Sequence, residues 1–131
     1  MTASNTLSYK DLVVWQKSLE FANKVIEITE TLKTQNVNFR LLDQLTAACT
    51  SIPMNIAEGK GRFSNKEFKH YMVIARGSLF ETMTLIEIFK LRNWISQENY
   101  NTLQNEAIQI TKMINSLNRS ITPIERATKT E

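Results

Sequence analysis

The sequence predicts an all-α protein, an up-down-up-down antiparallel four-helix bundle. Four stretches carry apolar residues at three- and four-residue intervals, the period of a helix with one buried face. The connections between them are short and polar. Only three Gly and two Pro occur in 131 residues, too few turn-formers for a many-stranded sheet.

The first helix is expected to begin between Tyr9 and Leu12, with Ser8 or Asp11 as N-cap. Leu12, Trp15, Leu19, Ala22, Ile26 and Thr29 trace one face, and Val14, Phe21, Val25 and Ile28 widen it. That stripe is broader than one bundle seam needs, which implies a second buried contact, most simply with another subunit. Polar residues 34–38 (TQNVN) form the first connection. The second helix carries Phe39, Leu42, Leu45, Ala48, Cys49, Ile52 and Ile56. Pro53 lies inside it, removes the amide that would bond the Cys49 carbonyl, and predicts a kink. Gly59 and Gly61 are expected to close the helix as a permissive C-terminal cap.

Ser64 followed by Glu67 is a capping box and predicts the start of the third helix. Its apolar face is Phe68, Tyr71, Met72, Ala75, Leu79, Leu85, Ile86 and Phe89. Gly77 and Ser78 fall mid-helix, where small residues permit close approach by another backbone or a ligand. Arg92, Asn93 and Trp94 make the next turn, and Ser96 caps a fourth helix bearing Tyr100, Leu103, Ala107, Ile110, Ile114 and Leu117. Periodicity fails from Arg119, so residues 1–118 are expected to form the bundle and 119–131 a loosely ordered tail.

Composition narrows the function. A lone Cys49 excludes an intramolecular disulfide, and no Cys/His spacing suits zinc. No apolar run is long enough for a signal core or a membrane span, so a cytoplasmic protein without membrane contact is expected. Net charge is +3, yet residues 60–76 alone carry +4, from Lys60, Arg62, Lys66, Lys69 and Arg76 against Glu67. A local basic run points to an anionic partner more directly than a uniform excess does. A solvated helix face gives the same pattern, and both readings stay open. Contacts to a nucleic acid through these side chains would be mainly to phosphates.

Enzymatic patterns are sparse. GKGR ends a helix where a phosphate loop would open one. His70 reads as a surface residue, Cys49 as a buried inert thiol, and Trp15 and Trp94 as core and corner packing. A di-metal bundle needs two Glu-x-x-His pairs, and Glu67 to His70 is the one copy. Asn55 and Glu58 lie beside the apolar stripe at the end of the second helix, and Glu81 lies on the third. A carboxylate at a helix C-terminus opposes the dipole and needs a partner. A polar clasp at the corner is the plainer reading of these three; a ligand or RNA contact is the alternative.

Residues 9–18 (YKDLVVWQKS) and 51–81 (SIPMNIAEGKGRFSNKEFKHYMVIARGSLFE) resemble the four-helix-bundle family encoded in intervening sequences of bacterial 23S rRNA genes. The spacing of NIAEG, GR, S, EF and A-x-GSL-x-E carries the resemblance; the fourth helix matches in general pattern only. The family usually places a Pro and an acid between the first two helices, and TQNVN departs from that. The resemblance implies a homopentameric ring, no enzymatic activity and no cofactor. It marks Asn55, Glu58, Gly59, Arg62, Ser64, Ala75, Ser78 and Glu81 as signature positions. A related branch serves as the accessory variability protein of diversity-generating retroelements, binding reverse transcriptase and RNA. The combined expectation is a non-enzymatic oligomeric bundle that binds structured RNA or a ribonucleoprotein through its basic surface. The alternative is a protein–protein adaptor, for example a subunit accessory to a reverse transcriptase.

Overall fold

The computed structural model describes residues 8–121. A short 3-10 turn, Ser8–Asp11, leads into four helices: α1 (Val13–Leu32), α2 (Phe39–Lys60), α3 (Asn65–Leu91) and α4 (Gln97–Ser120). Cross-helix bonds pair rising numbers with falling ones. Ser51 of α2 meets Ser78 of α3 and Arg62, just past α2, meets Tyr71 of α3, while Arg76 meets Asn115 and Glu87 meets Tyr100 between α3 and α4. Lys24 meets Glu106 between α1 and α4. Neighbouring helices are therefore antiparallel and the bundle closes on itself, as the periodicity predicts.

One core fills the centre, with Phe21, Val25, Ile52, Ile56, Met72, Leu79, Ile86, Phe89 and Ile114 all within 1% of complete burial. Each such side chain contributes about 1.5–3 kcal/mol relative to exposure. The starts of α2, α3 and α4 are capped by side chains. Asn38 accepts from the Leu41 amide, Ser64 from Glu67 and Ser96 from Asn99, at 3.1, 3.1 and 3.0 Å. The last two match expectation.

Several details differ from the sequence reading. The α1 cap is Leu12 and makes no side-chain bond, because the 3-10 turn takes Ser8 and Asp11 out of cap position. The buried face of α1 is Val14, Ser18, Phe21, Ala22, Val25, Thr29 and Leu32. Five of these lie on the predicted face, Ser18 and Leu32 do not, and Leu12, Trp15, Ile26 and Ile28 pack against the core only partly buried. Ser18, fully buried yet polar, disguises that face, while Leu19 is left 46% exposed. Phe39, counted as core, is likewise exposed. Both glycines at the end of α2 keep negative φ, and Gly61 caps in the right-handed region, so left-handed freedom is not used. Gly77 faces open space rather than another backbone. Pro53 is buried within α2, which continues to Lys60. α4 runs through Ser120 and Ile121 is buried, so helix persists past Asn118; residues 122–131 of the expected tail lie outside the described residues.

Candidate nucleic-acid interface

Residues 61–64 join α2 to α3, and the junction is built around Gly59. A Cβ there would lie 2.7 Å from the Tyr71 Cβ and 3.2 Å from the Phe68 ring. Only glycine lets the two helices meet this closely, so its role is close packing rather than capping. The tight crossing holds the Lys60 ammonium 5.6 Å above the Phe68 ring. It also brings Arg62 back over Tyr71, with the guanidinium carbon 4.8 Å from the ring centre. Arg62 Nη2 donates to Glu58 Oε2 at 2.7 Å and to the Tyr71 hydroxyl at 2.6 Å. The awkward carboxylate at the end of α2 thus has the cationic partner its position demands.

Below this pair, the α2–α3 seam continues as a polar line. Ser51 and Ser78 share a hydroxyl bond of 2.8 Å, and the Asn55 amide donates to both the Ser51 carbonyl and hydroxyl at 2.8 Å. Asn55 and Ser78 therefore belong to one clasp, and Glu58 to an adjoining one with Arg62. Glu81 is exposed and sits ten residues along α3 from Tyr71, about 15 Å of helix axis. The structure does not bring it to Glu58.

The basic residues divide between two seams. Lys60 and Arg62 stay on the α2–α3 side. Lys69 donates to the Ile121 carbonyl at 3.2 Å and Arg76 to Asn115 Oδ1 at 3.0 Å, so both brace α3 against the end of α4. Lys66 is exposed on the first turn of α3. His70 is exposed and edge-on to Tyr71 at 5.7 Å. Ala75 is fully buried, which accounts for its small size without a ligand. Phe63 is the residue that sequence reasoning passes over. It is 100% exposed at the tip of the junction, between Arg62 and the Ser64 cap. The signals for it are its place in a basic loop and its position just before the Ser64 cap, with Phe68 four residues after that cap.

The remaining candidates are structural. Cys49 is fully buried and donates weakly to the Thr46 carbonyl at 3.4 Å; burial pushes its thiol up to about 11, which suppresses the thiolate. Trp15 packs edge-on against Tyr9, and Trp94 against Phe89, at 5.3 and 5.1 Å. Glu87 accepts the Tyr100 hydroxyl at 2.6 Å and holds that phenol above its ordinary range. Among the described residues, no helix is long and apolar enough to cross a membrane.

Comparison with known proteins places this geometry. The profile of the family described as 23S rRNA-intervening sequence protein matches residues 10–116. Among solved structures, a protein of unknown function from the S23 ribosomal protein family of Bacteroides thetaiotaomicron superposes with a TM-score of 0.78 and 28% identity. The alignment covers 82% of this chain and 99% of that one. No curated protein matches.

Proposed function

Because the chain belongs to the 23S rRNA-intervening sequence protein family, we propose that it is a non-enzymatic RNA-binding bundle whose contact surface is the α2–α3 junction. The observation that carries this reading is the grouping of Lys60, Arg62 and Lys66 around the loop 61–64, exposed at Gly61, Arg62 and Phe63, on a close helix crossing. Glu58 and Tyr71 orient Arg62 through Nη2 alone, leaving Nη1 and Nε as donors for a phosphate. The Glu58 pair is exposed and worth about 0–1 kcal/mol, so a phosphate can compete with it for the guanidinium. Lys69 and Arg76 act mainly in bracing α4 and add to the field at longer range.

The test is affinity for an RNA hairpin measured against salt. Binding should weaken steeply as salt rises. Charge-neutral replacement of Lys60, Arg62 and Lys66 should flatten the slope by about 0.7–0.9 for each phosphate that is no longer neutralised. No binding to any RNA at low salt sinks the proposal.

A second surface favours self-association. Leu19, Ile26, Pro53 and Met54 line an apolar groove between α1 and α2, with Met54 67% exposed. We infer that a second copy covers it, forming the ring that repeats the basic junction and raises avidity. A mass of 15.1 kDa by light scattering in dilute solution refutes this. The adaptor reading uses the same groove for a different protein, and a pull-down indifferent both to nuclease and to charge reversal at Arg62 would favour it.

A further inference from the structure

We propose that Phe63 is a stacking platform for an unpaired nucleobase, so that the junction takes single-stranded loops or bulges in preference to duplex; this rests on the RNA-binding reading of the same junction. An apolar residue just before a helix cap ordinarily packs against the residue four positions after the cap, stapling the chain to the helix. Phe63 precedes the Ser64 cap and Phe68 stands at the matching position, so the sequence is equipped for such a staple. The structure does not make it. Phe68 is turned to Gly59 and lies under the Lys60 ammonium, while Phe63 is 100% exposed.

An aromatic ring that folding does not use is flanked in sequence by the three cations of the junction. Lys60 and Lys66 are each three residues away and Arg62 is adjacent. That is the pairing single-stranded nucleic acid needs, an aromatic face for a base and cations for the phosphates on either side of it. A duplex offers the cations its phosphates, but its bases are stacked on one another and cannot lie on the ring. Phe63 therefore adds affinity only where a base is free.

The experiment compares the full chain, Phe63→Ala, Phe63→Trp and a Lys60→Gln/Lys66→Gln double variant. The probes are a hairpin with an unpaired loop, made as RNA and as DNA, and a blunt RNA duplex. Phe63→Ala should bind the RNA hairpin about 5- to 150-fold more weakly with an unchanged salt slope, and bind the duplex as before. Phe63→Trp should retain hairpin affinity, and the lysine double variant should weaken both probes. The RNA and DNA hairpins show which source of base the platform accepts. If the parent chain binds hairpin RNA and Phe63→Ala binds it equally well, the platform is wrong while the RNA reading stands. If the parent binds neither probe, both fall. If Phe63→Ala changes only the mass in light scattering, Phe63 is a subunit contact and the platform is overturned.

Discussion

The two ends of α3 are built from similar parts and finished differently. At one end the chain reads Arg62-Phe63-Ser64, at the other Arg92-Asn93-Trp94-Ile95-Ser96, each an arginine, an aromatic and a serine cap. At the second turn Asn93 adopts φ 60, a left-handed geometry that asparagine tolerates, and this folds Trp94 back onto the bundle. Its ring meets Phe89 edge-on, lies 5.5 Å from the Arg92 guanidinium, and Ile95 is buried beside it. At the first turn no residue takes positive φ, the chain bends from Gly61 to the Ser64 cap, and Phe63 is left outside. One turn is closed by its own side chains. The other is rigid in backbone, through Gly59 and Ser64, yet open in side chain, which is the arrangement a binding loop needs.

The largest test of this contrast is thermodynamic. Trp94→Ala should lower unfolding free energy by about 3 kcal/mol in a denaturant titration, whereas Phe63→Ala should stay within about 0.5 kcal/mol of the parent. Comparable losses at both positions would mean that Phe63 packs in solution and the contrast is wrong. Next come the glycines. Gly59→Ala forces a Cβ against Tyr71 and should destabilise by about 1–3 kcal/mol, whereas Gly77→Ala meets nothing and should stabilise by about 0.5–1 kcal/mol through helix propensity. The same effect from both substitutions would remove the close crossing from the account of the junction.

The smallest effect is a titration at the closed end. Glu87 favours the protonated Tyr100 phenol, so its folded pKa lies above the unfolded value of about 10. The resulting stabilisation is fully present below that unfolded value and is lost as pH rises through the folded one. A tyrosinate absorbance titration should show one late phenol that disappears in Tyr100→Phe and returns to the ordinary range in Glu87→Gln.

Much of this is legible in the chain itself. Ser64 and Ser96 announce their helices because a hydroxyl three residues before an amide is a local geometry, set by a few adjacent residues. The apolar faces of α3 and α4 are also readable, since apolar residues occupy every buried position there except Thr82. α1 is harder. Val14, Phe21, Ala22, Val25 and Thr29 are readable on its core face, but a periodicity that counts apolar residues passes over Ser18 and includes Leu19, which is exposed. The basic run is visible as charge, but its division between two seams is not, because Asn115 and Ile121 lie 39 and 52 residues from their partners.

The helix count, three of the turns, the family and the local excess of positive charge are all written in the linear chain, because each depends on neighbours within a few positions. Packing settles the rest. It makes Gly59 a contact residue, pairs Glu58 with Arg62 while Glu81 stands ten residues, about 15 Å of helix axis, beyond Tyr71, and leaves Phe63 outside. Those facts turn on which faces meet across the α2–α3 seam, and a pattern along one helix carries no record of the helix packed against it.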